Sequence, residues 1–141
     1  MPASPLVSVV MPSFDQRRFI GASIDSVLGQ DYGHVELIVA DGGSTDGTVD
    51  YLAERSAADD RLRWLSERDS GPAEAINRAL ARARGTLIGW LNSDDLYAPG
   101  AVARAVAAFA ARPDWIMVYG QGQHVDVEAA FLDTYPTRRP T

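Results

Sequence analysis

The stretch VELIVADGGSTDGT, residues 35–48, predicts a buried strand that ends in a polar, glycine-rich loop. Residues Val35–Ala40 form a short apolar run of the kind expected for a buried strand. Asp41 follows at the tip of this strand, and the glycines after it permit backbone conformations that are closed to other residues. From Val49 onward the apolar residues recur at helical spacing, so the stretch predicts a strand, a loop and a helix.

The same alternation of strand-like and helix-like segments continues in both directions. Strict alternation of this kind predicts an α/β fold, in which a mostly parallel sheet carries helices on both faces. The third helix is predicted to open at Pro72 and the fourth at Pro99, whereas residues 124–135 predict a hairpin. The five predicted strands are Leu6–Met11, Val35–Ala40, Leu62–Ser66, Thr86–Leu91 and Trp115–Tyr119.

The composition excludes several kinds of chemistry. The 141 residues are 46% apolar and 23% charged, which suits one globular domain. The absence of cysteine excludes disulfides, thiol nucleophiles and cysteine-ligated zinc. The 13 lysine and arginine positions are all arginine, which excludes a Schiff-base lysine and the lysine of a P-loop. The net charge of −6 argues against nucleic acid as a partner.

The sequence shows no targeting or membrane segment. No apolar run approaches the roughly 18 residues that a membrane span requires. The opening residues, MPASPLV, lack the charged and apolar regions of a signal peptide. We therefore expect a cytoplasmic protein.

Polar side chains follow the predicted strands at the point where each strand ends. Asp41 follows the second strand, Asp69 the third, and Asp94 and Asp95 the fourth. The carboxyl ends of parallel strands meet at one edge of a sheet, so we expect these carboxylates in one neighbourhood, where a divalent cation would offset their charge. An Asp after a strand also commonly caps a helix or starts a turn, and this structural interpretation stays open for each residue taken alone.

Four segments carry a family resemblance: VSVVMPSFDQRRFIGASIDSVLGQDY, VELIVADGGSTDGT, ERDSGPAEAINRALARARG and LIGWLNSDDLYAPGA. In this order and spacing, over residues 7–119, they resemble the nucleotide-binding half of a family 2 glycosyltransferase, an inverting enzyme with the Rossmann-like GT-A fold. The resemblance implies that residues 1–141 are the nucleotide-sugar-binding part of such a domain. It also implies transfer of a sugar from a nucleotide sugar, with UDP as the expected nucleotide, to a saccharide or lipid-linked acceptor in cell-envelope polysaccharide synthesis.

The resemblance implies roles for individual residues as well. Asp41 would contact the base, and Asp94 would bind Mg²⁺ or Mn²⁺ with Asn92 or Asp95 in a secondary role. Asp95 would also lie near the donor sugar or the acceptor. The residues implied in nucleotide binding are Pro12, Ser13, Phe14, Asp41, Gly42, Gly71, Asn77 and Ser93.

Two features depart from the family pattern. The usual Asp-x-Asp metal motif reads Asn92-Ser93-Asp94, so an amide replaces the first carboxylate. The general base of the family lies in a later, acceptor-binding half, and we identify no candidate for it before Thr141. We therefore expect a chain truncated before that half, with the base beyond Thr141. We also expect self-association through newly exposed surface and a location at the inner face of the membrane.

One alternative function stays open and another is excluded. A chain without a general base is also compatible with a non-catalytic module that binds a nucleotide or a protein partner. A dinucleotide-binding oxidoreductase would share the alternating pattern. Its glycine-rich fingerprint is absent, because the loop after the first strand is Pro12-Ser13-Phe14-Asp15.

Overall fold

The computed structural model describes residues 4–137 of the chain. None of the helices in this range combines the length and the apolar character that a membrane-spanning helix needs. The elements follow one another as β1 (Val7–Ser13), α1 (Arg17–Leu28), β2 (Val35–Asp41), α2 (Thr48–Ala58), β3 (Leu62–Ser66), α3 (Pro72–Leu80), β4 (Leu87–Trp90), α4 (Ala101–Ala111), β5 (Gly122–Val125) and β6 (Phe131–Tyr135).

Strands β1 to β4 form one parallel sheet in the order β3-β2-β1-β4. β1 and β2 pair over their whole length, from Val7 opposite Val35 to Ser13 opposite Asp41. The order reverses at β1, because β2 and β3 lie on one side of it and β4 lies on the other. Open α/β sheets bind ligands beyond the carboxyl ends of their strands at such a reversal. The predicted α/β fold with a mostly parallel sheet is confirmed.

Helices cover both faces of the sheet, as predicted. Successive strand residues such as Val9 and Val10 point to opposite faces, so each central strand contributes to two cores. Burial of each Val, Leu or Ile side chain contributes about 1.5–3 kcal/mol, which fixes β1 and β2 firmly between the two layers. On the face of α1 and α2 the core includes Val9, Met11, Ile24, Leu37, Leu52 and Val106. On the face of α3 it includes Val10, Ile38, Ala40, Ala75 and Ala79.

The predicted fifth strand is wrong, whereas the predicted hairpin is confirmed. Residues 115–119 form no strand, and Ile116 is 98% exposed. The segment has the apolar composition of a strand. A strand also needs a neighbour that shares its backbone hydrogen bonds, and this segment joins neither of the two sheets found in residues 4–137. β5 and β6 pair antiparallel as a separate two-stranded sheet within the range predicted for the hairpin.

Several element boundaries also differ from the prediction, among them the end of β1 and the start of α4. β1 continues through Pro12 to Ser13, so both residues belong to the strand and not to the loop after it. Pairing with β2 explains the extension, since Ser13 lies opposite Asp41. Helix α4 begins at Ala101 and not at Pro99, because Gly100 before it takes a left-handed conformation with φ of 76°.

A buried polar network joins the first three strands near their amino-terminal ends. Oγ of Ser8 donates to Oε1 of Glu36 at 2.7 Å, and Nη2 of Arg63 donates to Oε2 at 2.9 Å. The backbone N–H of Arg84 donates to Oε1 at 2.8 Å. Burial raises the pKa of Glu36, but the hydrogen bonds from Ser8, Arg84 and Arg63 outweigh this effect and hold the pKa below its usual value. The network therefore stabilises the end of the sheet opposite the predicted site.

Candidate active site

The predicted site residues lie on loops at the carboxyl edge of the sheet. Because β1 separates β4 from β2 and β3, these loops fall into two groups. We call the loops after β2 and β3 the β2–β3 side of the site, and the loop after β4 its β4 side. The short loop after β1 lies between them, at the reversal of strand order.

The loops after β1 and β2 are joined by direct hydrogen bonds. The backbone N–H of Asp15 donates to Oγ of Ser44 at 2.8 Å, and Oδ1 of Asp15 accepts from the backbone N–H of Thr45 at 2.9 Å. Oδ2 of Asp46 accepts from the backbone N–H of Arg17 at 2.9 Å, which ties the start of α2 to the start of α1. The sequence pattern does not single out Asp15 and Ser44 as paired residues. Their pairing depends on contact between loops that are distant in the chain, and no local pattern signals it.

The carboxylate of Asp41 is buried and accepts four hydrogen bonds from the chain itself. The residue is 1% exposed. Its Oδ2 accepts from the backbone N–H of Gly43 at 3.0 Å, from that of Ser44 at 2.8 Å and from Oγ of Ser66 at 2.7 Å. Its Oδ1 accepts from Oγ of Ser44 at 2.5 Å. Asp41 therefore fixes the glycine-rich loop to the ends of β2 and β3, and its contact with a base stays a prediction.

The carboxylate of Asp69 lies over Gly42. A Cβ atom at Gly42 would stand 2.9 Å from Oδ2 and 3.1 Å from Oδ1 of Asp69, so any larger residue would displace this carboxylate. The N–H of Gly42 donates to the backbone oxygen of Ser13 at 2.8 Å. Oδ1 of Asp69 accepts from the N–H of Gly71 at 3.0 Å, and within residues 4–137 we find no donor to its Oδ2. Gly42 thus supplies space for Asp69, and its own N–H is already used.

The other residues predicted to bind nucleotide occupy this edge in different environments. Ser13 is 5% exposed, and its buried Oγ has no hydrogen-bond partner within residues 4–137. Pro12 beside it is buried, whereas Phe14 is 62% exposed. Gly71 precedes α3 with φ of 140°, a conformation that favours glycine, and Asn77 is exposed on that helix. Their roles toward a nucleotide stay predictions.

On the β4 side, a chain of hydrogen bonds leads to Asp95. Nε1 of Trp90 donates to Oδ1 of Asn92 at 3.0 Å, and Nδ2 of Asn92 donates to Oδ2 of Asp95 at 3.4 Å. Burial and the charge of Asp94 raise the pKa of Asp95, whereas the Asn92 hydrogen bond lowers it. A cation beside Asp94 and Asp95 would relieve this repulsion. Ser93, which lies between Asn92 and Asp94 in the chain, is buried.

Helix α1 anchors the loop that carries these carboxylates. Oγ of Ser23 donates to the backbone oxygen of Asp95 at 2.7 Å, and the backbone N–H of Tyr97 donates to Oγ of Ser26 at 3.1 Å. A Cβ atom at Gly89 would stand 2.7 Å from the hydroxyl of Tyr97, so Gly89 leaves room for that side chain. Burial raises the pKa of Tyr97. These contacts hold the loop at the end of β4.

The expectation of four carboxylates in one cluster is wrong. Residues 4–137 contain no group of three or more acidic or histidine side chains that could hold a metal ion. Asp41 and Asp69 lie on the β2–β3 side, whereas Asp94 and Asp95 lie on the β4 side. Two adjacent carboxylates do not make a closed metal site, but Mg²⁺ and Mn²⁺ are often held by one or two carboxylates together with substrate phosphates and water. The donor set at Asp94 and Asp95 fits a cation of that kind.

Comparison with known proteins identifies relatives for nearly the whole chain. The family model described as Glycosyl transferase family 2 matches residues 8–132. TuaG of Bacillus subtilis (strain 168), whose name assigns it to teichuronic acid biosynthesis as a glycosyltransferase, is 45% identical over 92 residues, which are 64% of this chain and 36% of TuaG. The chondroitin synthase of Escherichia coli is 34% identical over 128 residues, which are 91% of this chain and 19% of the synthase. The chain therefore spans well under half the length of either relative.

Two solved structures share the fold. The mannosyltransferase PcManGT from Pyrobaculum calidifontis, in complex with GDP-Man and Mn²⁺, superposes with a TM-score of 0.69 and 30% identity over 75% of this chain and 32% of its own. TarS 1–349 of S. aureus, in complex with UDP-GlcNAc, superposes with a TM-score of 0.70 and 25% identity over 76% of this chain and 32% of its own. The matched family model, the sequence relatives and these structures agree with the parallel sheet and its loops described above. The chain belongs to glycosyltransferase family 2.

Proposed function

We propose that the chain is the donor-binding part of an enzyme that transfers a sugar from a nucleoside diphosphate sugar to an acceptor hydroxyl, with inversion at the anomeric carbon. The observation that carries this proposal is the position of Asp94 and Asp95, which follow β4 where the strand order reverses. A nucleoside diphosphate laid across the end of β1 would have its diphosphate on the β4 side. Its nucleoside would then meet Phe14 and the β2–β3 side.

UDP is the proposed nucleotide. The likeness to TarS, whose structure contains UDP-GlcNAc, supports UDP. The likeness to a mannosyltransferase whose structure contains GDP-Man makes GDP the nucleotide for comparison. Exposed Phe14 and buried Pro12 and Ser13 at the end of β1 form the proposed wall of the nucleoside pocket, with Gly71 and Asn77 nearer the sugar diphosphate.

Asp94 is the proposed ligand of Mg²⁺ or Mn²⁺, with Asp95 or Asn92 in a secondary role. A bound cation of this kind offsets the negative charge that develops on the diphosphate leaving group. The chain itself positions the two carboxylates. Ser23 and Ser26 hold the loop after β4 on α1, and the amide of Asn92 contacts Asp95. Asp95 is also the proposed contact to the donor sugar or the acceptor.

The acceptor and the general base are proposed from the longer relatives. The names of TuaG and chondroitin synthase support a role in polysaccharide synthesis. The proposed acceptor is a saccharide or a lipid-linked acceptor of the cell envelope, and the proposed location is the cytoplasmic face of the membrane. Deprotonation of an acceptor hydroxyl by a positioned base contributes about 10² to 10⁴-fold, and we propose that this base is not among the described residues 4–137. We expect residues 1–141 alone to bind donor and transfer little sugar.

Titration calorimetry tests this proposal with UDP, GDP and ADP, each in Mn²⁺ and in EDTA. We expect UDP to bind in Mn²⁺ and to lose most of its affinity in EDTA. The matched control is Asp60→Asn, which removes an exposed acid on the loop before β3 and should leave UDP binding unchanged. Failure of all three nucleotides to bind would contradict the proposal.

The alternative is a non-catalytic module that binds a nucleotide or a protein partner, because we identify no general base among the described residues 4–137. A radiolabelled-donor assay on a longer protein that contains these residues separates the two functions. Transfer to an acceptor supports the enzyme, and tight nucleotide binding without transfer or donor hydrolysis supports the module.

A further inference from the structure

We propose that Gln30 is a positioning residue, which holds the loop after β4 against α1 and thereby sets the place of Asp94 and Asp95. The inference rests on the proposed function, since it explains how these two carboxylates are held where a metal ion and a diphosphate would meet them. It follows from the hydrogen bonds that side chains at one side and at the end of α1 make to the backbone of this loop.

The loop between β4 and α4, residues 91–100, buries little of its own surface. Leu91 is buried at its start, and the ring of Tyr97 packs against the core. Residues 94–96 and 98–99, on either side of Tyr97, are exposed. Segments with few buried apolar contacts open at a low cost in free energy. Hydrogen bonds to the rest of the fold therefore decide where the backbone of these exposed stretches lies.

Three polar side chains at α1 supply such hydrogen bonds. Ser23 and Ser26 are three residues apart and so share one side of the helix. They contact the backbone of Asp95 and Tyr97, as described above. Gln30 lies just beyond the last turn, and its Nε2 donates to the backbone oxygen of Ser26 at 3.0 Å. This bond turns the amide of Gln30 toward the same loop.

The amide of Gln30 joins the end of the loop to the start of α4. Its Nε2 also donates to the backbone oxygen of Ala98 at 3.0 Å, and its Oε1 accepts from the backbone N–H of Val102 at 3.1 Å. The first N–H groups of a helix need acceptors from outside the helix. Gly100, which precedes α4, has no side chain that could accept from them. Gln30 provides this acceptor from another helix.

The two contacts require opposite hydrogen-bonding groups. A side-chain amide carries both a donor and an acceptor, whereas the thioether of methionine donates nothing and accepts weakly. Gln30→Met therefore keeps the length of the side chain and removes the contacts to Ala98 and Val102. The released loop samples other positions, so fewer molecules hold Asp94 and Asp95 in place. The apparent affinity for a ligand that needs both carboxylates falls by the same factor as this fraction.

Calorimetry with UDP, in Mn²⁺ and in EDTA, tests this inference on Gln30→Met. We expect the affinity for UDP in Mn²⁺ to fall about three- to tenfold, whereas the weaker binding in EDTA stays unchanged. Amide hydrogen exchange of the free chain should be faster at Val102, whose N–H loses its acceptor. Gln30→Glu keeps an acceptor for Val102 and loses the donor to Ala98, so the same losses should appear there if Gln30→Met does not fold.

Two control variants separate this effect from a general loss of stability. Gln123→Met makes the same substitution at an exposed position on β5 and should change no quantity. Arg63→Met removes the contacts to Glu36 and to the backbone oxygen of Arg82, which lie outside the loop after β4. It should lower the melting temperature and leave the affinity for UDP in Mn²⁺ unchanged.

The outcomes separate this inference from the function on which it rests. If the wild-type chain binds UDP in Mn²⁺ and a folded Gln30 variant binds it as tightly, the inference is overturned and the proposed function stands. An equal loss of affinity in Mn²⁺ and in EDTA also overturns the inference, because Gln30 would then not act through the metal-binding carboxylates. If the wild-type chain binds no nucleoside diphosphate, the proposed function itself fails, and the inference fails with it.

Discussion

The indole N–H of Trp90 donates a 3.0 Å hydrogen bond to the side-chain oxygen of Asn92 at the end of β4. Trp90 is 60% exposed, so its ring is not part of the apolar core. Asn92 in turn donates to Asp95. An exposed aromatic side chain thus fixes the amide that stands where the family pattern has a carboxylate, and it turns the N–H group of that amide toward Asp95.

Replacing Trp90 by Phe keeps an aromatic ring and removes the N–H. We expect Mn²⁺-dependent UDP binding to weaken about two- to tenfold, because the amide of Asn92 loses a hydrogen bond of about 0.5–1.5 kcal/mol that holds it toward Asp95. Calorimetry measures the change. The control is Trp64→Phe, which removes an indole N–H that donates to Ser56 at 3.0 Å outside the loops of the site. An equal loss of UDP affinity in the Trp90→Phe and Trp64→Phe variants would contradict a specific role for Trp90.

Asp94→Asn and Asp95→Asn distinguish the two carboxylates after β4. Both substitutions preserve side-chain shape, so neither should lower the free energy of unfolding by more than about 0.5 kcal/mol. We expect Asp94→Asn to abolish the Mn²⁺ dependence of UDP binding and Asp95→Asn to reduce it less. Titrations in Mn²⁺ and in EDTA measure this dependence. The reverse order of effects would assign the metal to Asp95.

Asp41→Asn tests whether Asp41 holds the loop after β2. The amide oxygen of Asn replaces only one of the two acceptor oxygens, and its NH₂ group faces the donors that the carboxylate had accepted. Hydrogen bonds to a charged group contribute about 1.5–3 kcal/mol each. We therefore expect the free energy of unfolding, measured in urea, to fall by at least about 2 kcal/mol in Asp41→Asn. Unchanged stability together with lost UDP affinity would instead support direct contact between Asp41 and the base.

Glu36 makes the stability of the sheet depend on pH. Its pKa is lowered in the folded chain, since the hydrogen bonds from Ser8, Arg84 and Arg63 outweigh the opposing effect of burial. The stabilisation is therefore present above the unfolded pKa of 4.5 and is lost as pH falls through the folded pKa. Urea unfolding at several pH values measures this loss. Glu36→Gln should make the free energy of unfolding depend less on pH in the acid range. An unaltered pH dependence would show that other carboxylates cause it.

The sequence predicted the parts of the fold that local patterns determine. Val35–Ala40 and Leu62–Ser66 are continuous runs whose composition alone indicates a strand, and both strands are found there. Trp115–Tyr119 has an equally suitable composition. Its state depends on whether a neighbouring strand pairs with it, and composition carries no information on that pairing.

The candidate site was predicted as a set of loops, but its internal contacts were not. An Asp after a strand is visible in the sequence, so Asp41 and Asp69 were singled out. Whether such an Asp faces a ligand or bonds to its own loop depends on Ser44, Ser66 and the space over Gly42. Ser66 is brought to Asp41, and Asp69 to Gly42, by the pairing of β2 with β3. The strand order likewise divided the predicted carboxylate cluster into two groups.

The proposed nucleoside diphosphate lies across the end of β1, with its diphosphate at Asp94 and Asp95. Paramagnetic broadening in ¹H–¹⁵N spectra of the chain with UDP and Mn²⁺ tests this placement. We predict that the backbone signals of residues 93–96 disappear, that those of Gly43 and Ser44 shift with less broadening, and that those near Glu36 stay unchanged. Broadening centred anywhere other than the loop after β4 would show that the diphosphate and its metal do not bind at Asp94 and Asp95.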